Sequence, residues 1–265
     1  MCLIKVLYIL EKLISIGKVN LLRSVVGVVL CGGRGEALKP LSNYLQKAML
    51  PVGSLEKPVL EYIIRHMVYH GITNIALLVS YKARQIINYF DDGSRFGAKI
   101  QYIHDSKELY GTGGALVNAL QFINASTWVV QFGDILANVN LRDMMKYHIE
   151  QASDLTIAVA TGYRVPVGVA EVEDEVVTGL LEKPRLEGSV VVGIFALKPA
   201  ILEHFREAKG KLDFVGQVIP KIIDEGAEVH AYFFDGTWFD VGSSEEYEKL
   251  KPEDIDKLYS HLKLE

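Results

Sequence analysis

The chain has 265 residues, of which 49% are hydrophobic, and its formal net charge is −5. This apolar content supplies a packed core and excludes a disordered chain. The negative net charge argues against non-specific nucleic-acid binding, which requires a basic surface. The two cysteines, Cys2 and Cys31, are too few for a disulfide framework or a cysteine-based metal site, so we expect reduced thiols in a cytoplasmic protein.

The first 24 residues are rich in aliphatic side chains, but Lys5, Glu11 and Lys12 interrupt them. The uncharged runs between these charges are far shorter than the about 18 residues that span a bilayer. The charges also do not have the order of a secretory signal. We therefore expect no membrane span, and predict a helical extension that packs on the rest of the chain or on a second subunit. A helix on a membrane surface is the alternative.

Short β-branched runs alternate with helical stretches in the next part of the chain. Residues 24–31 form a Val-rich run that ends at Gly32 and Gly33, which predicts a buried strand. The segments that follow predict a helix at 59–69, a strand at 75–80, a helix at 83–90, a strand at 99–104, a helix at 113–123, a strand at 127–132 and a helix at 141–151. This alternation is typical of a parallel, doubly wound sheet.

The chain beyond residue 153 is richer in strands. Strands are predicted at 155–160, 168–172, 176–181 and 189–195, and they indicate an antiparallel or mixed extension of the sheet. Helices are predicted again at 199–208 and 212–225, followed by a strand at 228–234 and a charged, solvated helical tail from Glu245. Because no Pro-, Gly- or Ser-rich linker divides the chain, residues 25–265 are predicted to form one α/β domain.

A glycine-rich loop follows the first strand. Gly32, Gly33 and Gly35 surround Arg34, and such a loop lets backbone N–H groups converge on an anion. Ligands bind at the carboxyl ends of strands in open parallel sheets, where this loop would lie. No Gly-Lys-Ser/Thr closes it as in a Walker loop, and Leu38 stands where a dinucleotide fingerprint has its third glycine. Taken alone, the loop is equally compatible with a tight turn.

The order of the motifs along the chain is more specific than any one of them. They are Gly-Gly-Arg-Gly-Glu-Ala-Leu-Lys-Pro-Leu-Ser at 32–42, Gln-Lys-Ala-Met-Leu-Pro-Val at 46–52, Lys-Pro-Val-Leu-Glu-Tyr at 57–62, Gly-Thr-Gly-Gly-Ala-Leu at 111–116, Phe-Gly-Asp at 132–134, Glu-Lys-Pro at 182–184, Gly-Ile-Phe at 193–195 and Thr-Trp-Phe-Asp-Val-Gly at 237–242. This series resembles the sugar-1-phosphate nucleotidyltransferases, nearest in motif to the mannose- and heptose-1-phosphate guanylyltransferase branch. The resemblance covers about residues 25–245.

The resemblance implies a fold and a reaction. The fold is a Rossmann-like, doubly wound α/β sheet of the nucleotide-diphospho-sugar transferase type, mixed but mostly parallel. Because few residues follow the matched region, we expect no C-terminal β-helix. The reaction is transfer of a nucleotidyl group from a nucleoside triphosphate (NTP) to a sugar 1-phosphate, giving an NDP-sugar and pyrophosphate. Both substrates are anions, so the protein has to neutralise and align them.

The resemblance also assigns roles to individual residues. Asp134 and Asp240 match the pair that holds Mg²⁺, and Lys47 matches the lysine that meets the phosphates; these three are the implied catalytic residues. The implied nucleotide-binding residues are Gly32, Gly33, Arg34, Gly35, Gly111 and Thr112. The implied sugar-phosphate-binding residues are Gly168, Glu182, Lys183 and Gly193. GTP is the first choice of nucleotide, and UTP and dTTP, the substrates of uridylyl and thymidylyl relatives, remain alternatives. The expected assembly is a homo-oligomer or a pair with a paralogous subunit.

Several positions depart from the family pattern. The Thr-Arg of the loop is Glu36-Ala37, which removes a cation that reaches the triphosphate and adds a carboxylate. Gln46 and Ala48 replace the prolines around Lys47, and Val191 replaces an asparagine of the sugar site. Arg34 and Lys39 are candidates to replace the lost arginine. These changes leave an alternative open, in which the chain is a weak or inactive member of the fold that acts as a ligand-binding or regulatory partner subunit.

Overall fold

The computed structural model of the protein describes residues 25–161, 167–185, 188–262 and 264. The strands of that part are β1 (Val25–Cys31), β2 (Pro51–Val52), β3 (Lys57–Pro58), β4 (Asn74–Val79), β5 (Lys99–His104), β6 (Leu109–Tyr110), β7 (Thr127–Phe132), β8 (Ile135–Ala137), β9 (Leu155–Thr161), β10 (Val169–Glu173), β11 (Val176–Leu181), β12 (Ser189–Leu197), β13 (Gly210–Lys211), β14 (Val229–Phe233) and β15 (Trp238–Asp240). The α-helices are α1 (Val59–Tyr69), α2 (Ala83–Phe90), α3 (Gly111–Ala119), α4 (Leu141–Glu150), α5 (Ile219–Asp224), α6 (Ser244–Lys249) and α7 (Pro252–Leu258). The helix predicted for residues 1–24 lies outside the described residues.

A seven-stranded sheet organises the fold, in the order β14-β9-β12-β7-β1-β4-β5. Strand β1 pairs in parallel with β4 and β7, and the pairs β4–β5 and β9–β14 are also parallel. Strand β12 alone among the seven runs antiparallel to its neighbours, β7 and β9. The predicted fold class, a mixed and mostly parallel sheet, is therefore confirmed.

Helices cover both faces of the sheet. Successive residues of a strand point to opposite faces, and Val28 and Val29 of β1 accordingly belong to two different hydrophobic clusters. Helices α1, α4 and α7 contribute buried side chains to the cluster of Val29, whereas α3 and α5 contribute to that of Val28. Burial on both faces explains why the strand reads as a continuous Val-rich run. No helix in the described part of the chain has the length and hydropathy that a bilayer crossing requires.

Two predictions for the second half of the chain are wrong in detail. The segment predicted as a helix at 199–208 is a 3-10 helix, Pro199–Phe205. The helix predicted to begin at 212 instead starts with a π turn at Phe214–Val218, because the Leu212 carbonyl accepts hydrogen bonds from Gly113 N (2.9 Å) and Gly114 N (3.2 Å).

The C-terminal tail is helical, as predicted, but it is not fully solvated. Ile255, Leu258 and Tyr259 are buried in the core. The Ala137 N–H donates to the Tyr259 hydroxyl at 3.0 Å, and burial raises the pKa of Tyr259 above its usual range. The spacing of these three residues puts them on one helical face, so the tail closes over the sheet.

A buried carboxylate joins α1 to α2. Glu61 is 1% exposed, and its Oε1 lies 3.2 Å from Lys57 Nζ and 2.8 Å from Arg65 Nε. The Tyr89 hydroxyl donates to Glu61 Oε2 at 2.7 Å. Burial by itself raises the pKa of Glu61, but the hydrogen bonds from Tyr89, Arg65 and Lys57 outweigh it, so the pKa lies below its usual value.

We expect Glu61→Gln to lower the free energy of unfolding by about 3 kcal/mol at pH 7, because Arg65 and Lys57 lose a buried counter-charge. The folded-state pKa is depressed, so this contribution is present above the unfolded pKa of about 4.3 and is lost as the pH falls through the folded pKa. Urea unfolding between pH 3 and 7 measures it. The control Glu150→Gln, at an exposed pair with Lys146, should change stability by less than about 0.5 kcal/mol; equal losses in both variants would contradict the prediction.

Candidate active site

The glycine loop makes room for a lysine at the end of β1. A side-chain carbon at Gly33 would lie 3.0 Å from Lys47 Cε and 3.3 Å from Lys47 Nζ. Gly35 has φ +63°, in the left-handed region that glycine adopts without strain. Glycine at these positions therefore lets the loop pass directly over the Lys47 side chain.

Lys47 pairs with Asp134 at the centre of the site. Its Nζ donates to Asp134 Oδ2, and the two side chains are 19% and 12% exposed. Asp134 follows β7, the strand beside β1, so the parallel sheet brings the loop and the carboxylate to the same edge. The structure thus brings two of the predicted catalytic residues, Lys47 and Asp134, into direct contact.

Gln46 anchors the segment that carries Lys47. Its side chain donates to Cys31 O at 2.6 Å and accepts from Ala48 N at 2.6 Å, while its own N–H donates to Gln85 Oε1 at 2.7 Å. Gln46 is fully buried. The family's proline would fix this backbone through its ring, whereas the glutamine fixes it through hydrogen bonds to β1 and α2.

Two short strands bring the second aspartate to the first. β8 and β15 pair antiparallel with Asp240 opposite Ile135, and the Val241 N–H donates to Asp134 O at 2.8 Å. The Asp240 carboxylate is reachable from solvent, yet partial burial and then the negative charge of Asp134 raise its pKa. The sequence analysis did not predict β8 or β15.

The donor set at this point suits Mg²⁺. Two carboxylates converge beside Lys47, and Mg²⁺ is usually held by one or two carboxylates, with water and substrate oxygens completing its shell. A cation between Asp134 and Asp240 would also relieve the repulsion that raises the Asp240 pKa. In the described ranges, no group of three or more His, Cys, Asp or Glu side chains could hold a metal.

Gly111 and Thr112 fix the start of α3. Gly111 has φ +87°, and a side-chain carbon there would lie 2.6 Å from the Leu212 carbonyl oxygen. The Thr112 hydroxyl accepts from Phe214 N at 2.8 Å and donates to Asp213 Oδ2 at 3.0 Å. Both residues therefore have a packing role toward the Leu212–Phe214 turn, and their predicted contact with a nucleotide stays a prediction.

Two of the predicted sugar-phosphate residues, Gly168 and Glu182, lie together, and a third, Gly193, lies near the predicted metal ligands. A side-chain carbon at Gly168 would lie 3.5 Å from Glu182 Oε2, at the base of the β10–β11 hairpin. Lys183 follows Glu182 with φ +47° and is exposed. Gly193 has φ +79° where β12 shifts its register, and a side-chain carbon there would lie 3.2 Å from Phe132 Cδ2. Gly193 thus lies against the turn that carries Asp134.

Glu36 is turned toward solvent and toward Lys39. Its side chain is 63% exposed, and the Lys39 ammonium lies 2.5 Å from Glu36 Oε2. The hydrogen bond from Lys39 lowers the pKa of Glu36. Of the two candidates to replace the lost arginine, Lys39 is occupied by this pair, whereas the Arg34 guanidinium lies 5.7 Å from the centre of the Tyr81 ring.

Comparisons with known proteins match most of the chain. A family model described as nucleotidyl transferase matches residues 26–257. The UTP–glucose-1-phosphate uridylyltransferase of Synechocystis sp. is 29% identical over 238 residues, which cover 83% of this chain and 61% of that protein. The glucose-1-phosphate thymidylyltransferase of Streptomyces antibioticus is 31% identical over 225 residues, which cover 82% of this chain and 62% of that protein. This chain thus spans about three fifths of the length of these two relatives.

A solved structure matches over its whole length. The crystal structure of HddC from Yersinia pseudotuberculosis has a TM-score of 0.69 and 27% identity, and the match covers 87% of this chain and 99% of HddC. HddC has also been crystallised in complex with GMP-PN.

We expect Asp240→Asn to weaken the binding of Mn²⁺, used as a spectroscopic substitute for Mg²⁺, by about tenfold or more, because the site loses one of its two charged ligands. Titration followed by electron paramagnetic resonance in the presence of pyrophosphate measures the dissociation constant. Asp235→Asn, an exposed carboxylate five residues earlier, is the matched control and should bind like the wild type. Equal binding by Asp240→Asn and the wild type would reject the site.

Proposed function

We propose that this chain, which belongs to the nucleotidyl transferase family, transfers a nucleotidyl group from an NTP to a sugar 1-phosphate and releases pyrophosphate. The observation that carries the proposal is the Lys47–Asp134 pair under the glycine loop with Asp240 beside it. One cation and two carboxylates at the carboxyl end of β1 and β7 suit a reaction between two phosphate anions.

In this reaction an oxygen of the sugar phosphate attacks the α-phosphorus of the NTP, and pyrophosphate leaves. The N–H groups of Gly32–Gly35 and the Lys47 ammonium would bind phosphate oxygens and align the α-phosphorus for attack. Asp134 and Asp240 would hold Mg²⁺, which supplies positive charge to the phosphates when bound. The sugar phosphate would lie on the side of β12 and the β10–β11 hairpin, held by Gly168, Glu182, Lys183 and Gly193.

Two features in and near the glycine loop favour an active enzyme over an inactive partner subunit. Glu36, whose carboxylate would repel a triphosphate, is paired with Lys39 and exposed. Gln46 holds the Lys47 segment by hydrogen bonds in place of proline. At position 37, where the family pattern has an arginine, the alanine side chain supplies no positive charge.

For the substrates, we propose chemical classes, an NTP and a sugar 1-phosphate. The two relatives carry uridylyl and thymidylyl names, whereas HddC was crystallised with GMP-PN. With the Gly-Thr-Gly-Gly-Ala motif at 111–115, we favour GTP, and we propose Mg²⁺ as the cofactor. The cytoplasmic location and the homo-oligomer or paralogous partner stay predictions from the sequence.

We expect pyrophosphate release with Mg²⁺, an NTP and a sugar 1-phosphate, and a loss of about 100-fold or more in kcat for Asp134→Ala, which removes a proposed Mg²⁺ ligand and the counter-charge of Lys47. A coupled pyrophosphate assay over a panel of NTPs and sugar 1-phosphates measures it, with Asp224→Asn, an exposed residue of α5, as the control. The reaction is rejected if no substrate pair exceeds the rate of Asp134→Ala.

We also expect Glu36→Thr with Ala37→Arg to raise kcat/KM for the NTP by about tenfold, because the change restores a cation near the triphosphate. Glu36→Thr alone should stay within about twofold of the wild type, since an exposed paired charge contributes little. An unchanged kcat/KM in the double variant would place the limiting defect elsewhere, with Val191 in the sugar site as the next position to change.

A further inference from the structure

A buried glutamine interrupts the strand that leads to Asp134. Between Trp128 and Phe132, strand β7 is apolar except for Gln131, and Gln131 is fully buried. Strands that are covered on both faces are usually continuous apolar runs. Because buried polar groups are almost always hydrogen-bonded, an amide at this position has to be explained by what its nitrogen and its oxygen contact.

The amide nitrogen of Gln131 bridges the turn that carries the aspartate. Its Nε2 donates to Ile135 O at 2.8 Å, so the side chain spans residues 132–134. Ile135 follows Asp134 in the chain and lies opposite Asp240 in the β8–β15 pair. This one hydrogen bond therefore holds a backbone position that neighbours both predicted metal ligands.

The amide oxygen of Gln131 has no comparable contact. Its Oε1 is buried and has no hydrogen-bond partner among the described residues. Alternation along β7 places the side chain on the same face as Val129, in the apolar cluster of Val29. For stability, the one hydrogen bond that the amide makes is offset by the acceptor that it leaves unpartnered. The stability of the core therefore does not account for a glutamine here.

The backbone on the other side of Asp134 is held by β1. The Gly133 N–H donates to Leu30 O at 3.0 Å, and a side-chain carbon at Gly133 would lie 2.8 Å from the same oxygen. Asp134 thus lies between two held positions, one before it at Gly133 and one after it at Ile135. Without the bond from Gln131, only the first of these two hydrogen bonds would remain.

We infer that Gln131 is a positioning residue for Asp134, and that its hydrogen bond to Ile135 O keeps the Asp134 carboxylate directed at Lys47 and at the proposed Mg²⁺ site. The inference rests on the metal site of the proposed function. Because Gln131 is fully buried, it acts through the aspartate and not on a substrate. Residues that orient a metal ligand commonly change the metal affinity about 10- to 100-fold when they are replaced.

The test is Gln131→Met in the full chain, which keeps the length of the side chain and removes both polar atoms. The dissociation constant of Mn²⁺, followed by electron paramagnetic resonance in the presence of pyrophosphate, should rise about tenfold. The melting temperature should stay within about 5 °C of the wild type, because one hydrogen bond and one unpartnered acceptor are lost together. Gln121→Met, at an exposed glutamine bonded to Asn118, is the matched control and should equal the wild type in both measurements.

A second comparison shows whether Gln131 acts through Asp134. In the Asp134→Asn background, Gln131→Met should change the Mn²⁺ dissociation constant by less than about twofold, because the ligand that Gln131 positions has already lost its charge. In the transfer reaction, Gln131→Met alone should lower kcat about tenfold and leave KM for the NTP within about twofold.

Three results would overturn the inference. They are a Gln131→Met variant that binds Mn²⁺ like the wild type, a full additional loss of affinity in the Asp134→Asn background, and a Gln131→Met variant that does not fold or melts more than about 5 °C below the wild type. The last result would assign Gln131 to the stability of the core.

The binding data also separate this inference from the proposed reaction. Mn²⁺ binding that depends on Gln131, without pyrophosphate release from any substrate pair, would uphold the inference and reject the transfer reaction. Pyrophosphate release that requires Asp134, with a Mn²⁺ affinity that Gln131→Met leaves unchanged, would do the reverse.

Discussion

The ion pair between Lys47 and Asp134 is the contact on which the site depends. Both side chains are mostly buried, so each would carry an uncompensated charge without the other, which costs far more than the loss of a surface pair. Three local features serve this contact. Gly33 leaves room for the lysine stem, Gln46 fixes the backbone that carries it, and the parallel pairing of β1 with β7 brings the aspartate to the same edge of the sheet.

The second carboxylate reaches this pair through a different part of the fold. Asp240 arrives on β15, which pairs with β8 directly after Asp134. Gly193, at the register shift of β12, lies against Phe132 and Ile135 on either side of the Gly133-Asp134 turn. Strand β12 thus passes beside the predicted metal ligands, and the β10–β11 hairpin that precedes it begins directly after Gly168 and leads into Glu182. Strand β12 and the β10–β11 hairpin therefore connect the predicted sugar-phosphate residues to the predicted metal ligands.

The sequence predicts the parts of the structure that depend on local patterns. Strands β5 and β7 and helices α1 and α2 have the predicted bounds. Hydrophobic periodicity identifies each of these elements, and glycine or polar residues that interrupt it mark their ends. Strands β8 and β15 have three residues each, too few for a period, and they exist only because they pair across the chain. The tail was expected to be solvated because charged residues dominate it, although the spacing of Ile255, Leu258 and Tyr259 contains the signal of a buried face.

The candidate site also contains features that the sequence predicts and features that it does not. Ordered motifs predict which residues take part, and Lys47, Asp134 and Asp240 do converge. The motifs do not predict which side chains contact the residues that depart from the family pattern. Only the structure shows that Gln46 forms hydrogen bonds with Cys31 and Gln85, and that Glu36 pairs with Lys39. Asp105 carries no motif at all. The structure places its carboxylate beside Gly32, a glycine that is explained from the sequence by anion binding alone.

The net charge of −5 has a local counterpart in this arrangement. In the site, the carboxylates of Asp134 and Asp240 lie with Lys47 on the side of β7, and the carboxylate of Asp105 lies on the side of β5. For the proposed reaction, Lys47 and Mg²⁺ would have to offset these three carboxylates before two phosphate anions could bind, so the acidic site itself creates the need for the metal.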